Sequence, residues 1–220
     1  MGIPARNTIA VFALAAATFV AGGPASAQPA AVPLDAHNAL YKRMVTLNAA
    51  VKSYRADVHL DVALKTFPYI SPSLDGNVYY KKPDREAVVF DTVPALASQF
   101  KKVYPKVDPP GRWLALYQVA VVGDENGSTL FRLVPKRNGR VDHLDVRVDD
   151  GNATIKSYAW TYKDGGSVSF DQQYTSVGGA YLVEKQTGHV ELPSYKADVT
   201  STFKNYKLNV AIDDAVFAEK

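Results

Sequence analysis

The sequence predicts a mainly β domain of the α+β class, an antiparallel meander of about ten strands accompanied by two short helices. Three observations predict it. First, the apolar period changes from helical to strand-like between Leu40 and Leu64: Leu40, Met44, Leu47 and Val51 share one helical face, and Tyr54, Ala56, Val58, Leu60, Val62 and Leu64 then alternate with Arg55, Asp57, His59 and Asp61. Second, from Trp113 onward strand-like runs and turn signals follow one another at hairpin spacing. Third, two helices cannot supply the crossovers that parallel strands need, so the strands must pair antiparallel. A sheet of that size must curl, close or split in two.

Taken in order, residues 1 to 27 read as a secretory signal peptide: Arg6 precedes the apolar run Ile9 to Ala21, and Ala25-Ser26-Ala27 is a small-x-small cleavage pattern. The run is shorter than the roughly 20 residues a membrane span needs. Residues 28 to 34 form a Pro/Ala-rich leader expected to be mobile, and Asp35 is the expected N-cap of the first helix. Leu74 to Lys81 and Arg85 to Thr92 make a hairpin across Lys82-Pro83-Asp84. Pro94 suits the first turn of a second helix, in which Leu96, Phe100 and Val103 share a face before Pro105 ends it.

The remaining strands are expected at Leu114 to Val122, Thr129 to Pro135, Val141 to Val148, Ala153 to Tyr162, Ser167 to Tyr174, Ala180 to Glu191 and Tyr195 to Tyr206. Asn126-Gly127, Gly151-Asn152, Gly165-Gly166 and Gly178-Gly179 mark the turns between them. Residues 35 to 220 thus read as one domain, expected to be monomeric. Its apolar sheet face exceeds what two short helices cover, which leaves either a packed core or an apolar ligand cavity between sheet and helices.

Composition removes several function classes. The chain has no cysteine, so disulfides, thiolate metal sites, a Cys nucleophile and an acylated N-terminal Cys are all out. Loss of Arg6 with the signal takes the formal charge from +3 to +2, which gives no argument for nucleic acid. The pairs Lys81-Lys82, Lys101-Lys102 and Lys136-Arg137 fall at element ends, as solvated lysines or as a basic contact patch. The histidines His37, His59, His143 and His189 are scattered without metal-ligand spacing, so neither a metal nor a cofactor is expected. Asp149-Asp150-Gly151-Asn152 is calcium-friendly in composition but sits where a hairpin needs a turn. Nucleophile elbow and phosphate loop are both missing, and no catalytic residue is assigned.

Four segments carry a family resemblance: Val51-Lys52-Ser53-Tyr54-Arg55-Ala56, then Gly76-Asn77-Val78-Tyr79-Tyr80-Lys81-Lys82-Pro83-Asp84, Leu133-Val134-Pro135-Lys136, and the closing Tyr206 to Phe217. In these the chain resembles the periplasmic outer-membrane lipoprotein carrier, or LolA-like, superfamily over nearly all of residues 35 to 220. The resemblance implies an incomplete antiparallel β-barrel of about ten strands, with a small helical lid over a concave apolar face that takes up acyl chains. It implies a cavity lined by Val58, Leu60, Val62, Val78, Tyr80, Val89, Leu96, Phe100 and Leu116, under a lid of Leu40, Met44, Leu47 and Val51. The function expected from it is a soluble periplasmic carrier, not an enzyme, that shuttles the acyl chains of a lipoprotein or lipid towards the outer membrane between membrane donor and acceptor proteins. A sensor or regulatory interaction module of the same fold is the alternative. An enzyme built on His59, Asp57 and Asp61 is the third reading.

Overall fold

The computed structural model describes residues 31–218 except His37, Pro68 and residues 92–106. The signal peptide, Leu96, Phe100 and the helix expected to start at Pro94 lie outside the described residues. Eleven strands form one antiparallel sheet: β1 (Val32–Pro33), β2 (Ser53–Leu64), β3 (Ser73–Lys81), β4 (Arg85–Phe90), β5 (Tyr117–Glu125), β6 (Ser128–Pro135), β7 (Val141–Asp149), β8 (Ile155–Tyr162), β9 (Ser167–Val177), β10 (Ala180–Leu192) and β11 (Tyr195–Leu208). The order is β1-β5-β6-β7-β8-β9-β10-β11-β2-β3-β4. The meander therefore runs from β5 to β11, and its last strand pairs with β2, the first long one, with Val62 opposite Val199 and Val58 opposite Phe203. Strands β1 and β4 end the series without meeting, so the barrel is incomplete.

The turns follow from residue chemistry. Asn126 and Gly127 both adopt positive φ, 53° and 68°, as a two-residue hairpin whose twist matches its strands requires. Two inner glycines are set by close approach. A Cβ on Gly188 would lie 2.2 Å from the Phe170 ring that covers it, and a Cβ on Gly76 would lie 2.3 Å from the Val89 carbonyl oxygen.

Helix α1 (Ala39–Thr46) is shorter and starts later than expected. Its N-cap is Asn38, whose side chain accepts from the Tyr41 N–H at 3.0 Å, while the Asp35 carbonyl accepts from the Asn38 N–H one turn earlier. It ends at Leu47, which is extended, and Asn48 turns the chain with a φ of 57°. Val51 is thus off the helix and packs with Ala180 and Leu182 in a second, smaller cluster.

Leu114 to Leu116, expected as the start of a strand, form with Trp113 a helical turn, α2 (Trp113–Leu116), after a 3-10 turn at Pro110–Arg112; strand β5 begins only at Tyr117. Bulk on both sides of that segment suits a buried turn. The Trp113 indole is fully buried and donates to the Asp108 carbonyl at 2.7 Å. In the stretch expected as a mobile leader, Val32 pairs with Val121 and the Leu34 N–H donates to the Val119 carbonyl at 2.8 Å.

The main core lies between α1, α2 and the inner sheet face. Tyr41 and Met44 of the helix join Leu60, Val62, Trp113, Phe131, Leu133, Leu144, Val146 and Trp160 in one buried cluster. Arg43 donates to the carbonyls of Asp150 and Gly151, and Asn48 exchanges hydrogen bonds with the backbone of Tyr181, so two sheet turns hold the helix in place.

Candidate functional site

Strand register sorts the expected site residues. Val58, Leu60 and Val62 are buried on the inner phase of β2. Val78 faces the same side, opposite the fully buried Ala56, and Tyr80 lies opposite Tyr54. Val89 does not belong with them: it pairs with Asn77 on the outer face, and its neighbour Val88, paired with Val78, takes the inner position. Leu116 lies in the helical turn and is half-buried. Of the lid residues, Met44 is buried in the main cluster and Leu40 packs against it. Leu47, at the helix end, borders an open groove of about 260 Å3 with Arg43, Asn48, Ala153 and Tyr181. The polar groups of that groove already bond to backbone, so it is a seam between helix and turns.

The inner face therefore has two parts. Under α1 and α2 it is packed: Met44 of the helix and Leu60 and Val62 of the sheet meet in one cluster. Along β2, β3, β4 and the adjoining ends of β11, β10 and β9, it is lined instead by Tyr54, Tyr80, Tyr206, Tyr174, Gln172 and Gln186, with Tyr158 at the border. Tyr54 stacks on Tyr80 at 5.2 Å and meets Tyr206 edge-on at 5.5 Å. Tyr206 donates to the Val183 carbonyl at 2.6 Å, Tyr174 to the Ile155 carbonyl at 3.0 Å, and Gln186 donates to the Tyr158 hydroxyl. At the β4 end the apolar wall reaches solvent: Val88, on the inner side, is 44% exposed.

The phenols of this part stay uncharged wherever proteins work, and the charge beside them is the carboxylate of Glu86, in register with Tyr80 and Tyr54. Burial pushes the phenols of Tyr54, Tyr158, Tyr174 and Tyr206 well above their ordinary value, and the charge of Glu86 adds to the effect on Tyr54, Tyr158 and Tyr206. Phenols and amides of this kind donate and accept hydrogen bonds; they offer neither a base nor a nucleophile near neutral pH. The arrangement is suited to holding an amphipathic molecule.

The polar cluster expected around His59 lies on the other face of the sheet. His59 sits 2.7 Å from Asp75 and 3.3 Å from Asp61, exposed to solvent. Asp57 instead accepts from Asn205 at 2.7 Å. The hydrogen bond to Asp75, more than the charge of Asp61, raises the imidazole's pKa. Similar ladders cover the rest of that face, with His189 on Asp198 at 2.8 Å and Arg132 bidentate to Asp145 at 2.7 Å. Among the described residues no cluster of His, Asp and Glu has the geometry to hold a metal ion, and no helix is long and apolar enough to cross a membrane. Sequence reasoning missed Tyr54, Tyr158, Tyr174 and Tyr206 as a group; their shared inner phase was legible, their adjacency was not.

No family model and no curated protein matches the chain. Solved structures do. A DUF1329 family protein from Desulfovibrio piger ATCC 29098 aligns at 14% identity and a TM-score of 0.63, covering 81% of this chain and 94% of that one. An outer membrane lipoprotein-sorting protein domain from Vibrio parahaemolyticus aligns at 11% identity and 0.61, covering 80% and 93%. The LolA superfamily protein NE2245 from Nitrosomonas europaea aligns at 12% identity and 0.59, covering 82% and 96%. With an unclosed antiparallel barrel, a short helix across its inner face and these likenesses over four-fifths of its length, the chain has a LolA-like fold.

Proposed function

We propose that this protein is a periplasmic binding protein, exported by a signal peptide at residues 1 to 27, that holds an acyl chain of a lipid or lipoprotein on the β2-β3-β4 part of its inner face and carries it without chemistry of its own. The observation that carries the reading is Val88. An apolar side chain in register with Val78 and Ala56 on the inside of an unclosed barrel remains 44% exposed, so the wall is reachable from solvent where the main core is not. The likeness of fold to a lipoprotein-sorting domain supports the cargo class. Each methylene laid on such a wall contributes about 0.8 kcal/mol, so one long chain supplies useful affinity without a charged contact. Val58, Val78 and Val88 then form the wall, and Tyr54, Tyr80 and Tyr206 the polar-edged end of the site.

Two adjacent residues test it. Val88→Glu places a charge on the wall, and Val89→Glu places the same charge on the outer face one residue away. Both sites are exposed, at 44% and 47%, so neither change endangers folding. Val88→Glu is expected to weaken binding of a fluorescent fatty acid about tenfold, the cost of one apolar contact, and Val89→Glu to leave it unchanged. Native mass spectrometry of protein purified from cells, followed by lipid extraction, is expected to return an acylated species. An empty protein that also ignores the fatty acid, or equal effects of the two substitutions, would sink the reading.

A further inference from the structure

We infer that the end of the sheet bearing the β2–β3 loop is a docking surface for an anionic phospholipid bilayer. Two aromatic residues project there: Phe67 is 87% exposed and Tyr69 is 69% exposed. The loop that carries them is tied by backbone hydrogen bonds, Lys65 N–H to the Lys196 carbonyl at 2.8 Å, Tyr69 N–H to Thr66 at 2.8 Å and Leu64 N–H to Ile70 at 3.0 Å. Ile70 turns inward onto the main core, and the same short loop holds Phe67 and Tyr69 out. Exposed aromatic side chains suit a membrane interface, where ring bodies enter the acyl boundary and a Tyr hydroxyl stays among headgroups.

The charge around them fits that partner. The loop adjoins the start of β11 through Lys65 and Lys196; Gly166 of the β8–β9 turn lies against Leu192 and Pro193; Lys163 of that turn donates to Asn138 at 2.8 Å and its N–H to the Arg140 carbonyl at 3.0 Å. One continuous rim results. Its four turns, 65–72, 136–140, 163–166 and 193–194, carry Lys65, Lys136, Arg137, Arg140 and Lys163 against Asp164 alone. The turns at the opposite end, 82–84, 126–127, 150–154 and 178–179, carry Lys82 against Asp84 and Asp150. Some rim cations have partners, Arg140 in Asp164 at 2.7 Å, Lys65 in Asp198 at 3.0 Å and Lys136 in the Leu114 carbonyl at 2.7 Å, and the four turns themselves keep a net positive excess. Juxtaposed cations of this kind attract an anionic leaflet over about a Debye length and orient the approaching protein aromatic tip first. The Lys136-Arg137 pair thereby becomes part of a contact surface.

The inference does not depend on acyl binding, and the experiment separates the two. Full-length mature protein is cosedimented with vesicles of phosphatidylglycerol and phosphatidylethanolamine in equal parts, and with phosphatidylcholine vesicles. Wild type is expected to partition onto the anionic vesicles. The double variant Phe67→Ser/Tyr69→Ser, and separately Arg137→Glu/Lys163→Glu, should each lower that partition about tenfold. Raising the salt should weaken wild type and leave the charge-reversed variant nearly unmoved. All of these side chains are on exposed turns, and an unchanged thermal midpoint verifies folding. Fatty-acid binding should persist in Phe67→Ser/Tyr69→Ser, and vesicle binding in Val88→Glu. Equal partition onto both vesicle types, no partition onto either, or a double aromatic variant that sediments like wild type overturns the docking surface, whatever the fatty-acid result.

Discussion

The two parts of the inner face share strands β2, β9, β10 and β11 and differ in what closes them. Under α1 and α2, Met44, Trp113, Phe131 and Val62 belong to one buried cluster that joins residues of the helices and of several strands. Along β2, β3 and β4 the inner phase carries Val58, Val78 and Val88 beside Tyr54 and Tyr80, and Val88 is partly open to water. The first part is what a small sheet domain needs in order to be stable without disulfides. The second is more than stability requires, since an exposed inner valine and a row of buried phenols both cost free energy relative to a closed apolar core. On the function proposed above, stability and recognition are divided along the strands instead of between domains, and substitutions should reveal the division.

The largest difference is expected from truncation. Phe131 is fully buried, so Phe131→Ala should destabilise the fold by about 3–5 kcal/mol through lost burial and an unfilled cavity. Val88→Ala, on the open part of the same face, should cost less than about 0.5 kcal/mol, as substitutions at exposed sites generally do. Urea denaturation read by far-UV circular dichroism gives both values. Similar losses at the two positions would mean that the β4 end is closed as tightly as the core.

The tyrosines sharpen the comparison through alkaline pH. A phenol whose pKa is raised by folding contributes stability that is fully present below its unfolded value, about 10, and is lost as pH climbs through the folded one. Tyr54, Tyr158, Tyr174 and Tyr206 all have raised values, burial being the largest cause in each. Stability should therefore fall steeply above about pH 10. Absorbance at 295 nm should show part of the phenols ionising only as the protein unfolds, and Tyr54→Phe/Tyr206→Phe should flatten the dependence. A titration in which every phenol ionises in the native state would show that this wall is wet.

Much of this architecture was legible in the sequence, for reasons that also mark where reading stops. The alternation in β2 is regular because one face is buried and the other carries His59, Asp57 and Asp61, so its inner residues follow from parity alone. Asn126-Gly127 and Gly178-Gly179 name their own turns. Strand β4 has no such parity: Ala87-Val88-Val89-Phe90 is apolar on both phases, and only pairing with β3, with Gly76 opposite Phe90, decides that Val88 points in and Val89 out. Trp113 to Leu116 fit either period, and the turn at Pro110 settles them as helical. The tyrosine wall was beyond reach because Tyr54 and Tyr206 are brought together by the pairing of β2 with β11, a contact across the whole chain that local pattern does not encode.

The smallest effect concerns the outer face, where His59 and its carboxylates show what this sheet does with charge when no pocket is at stake. The imidazole is exposed and its pKa is raised, first by the hydrogen bond to Asp75. The stabilisation from its protonated form is therefore fully present below the ordinary histidine value of about 6.5 and is lost as pH rises through the raised folded one. Solvent screens a pair of this kind, so the gain is small. Thermal midpoints of wild type and His59→Ala should differ slightly at acid pH and converge on the alkaline side of neutrality, with fatty-acid binding equal throughout. A difference that grew with pH would reverse the sign of the linkage. A loss of binding in His59→Ala would place function on the outer face and remove the division between the two sides of the sheet on which the inner-face reading rests.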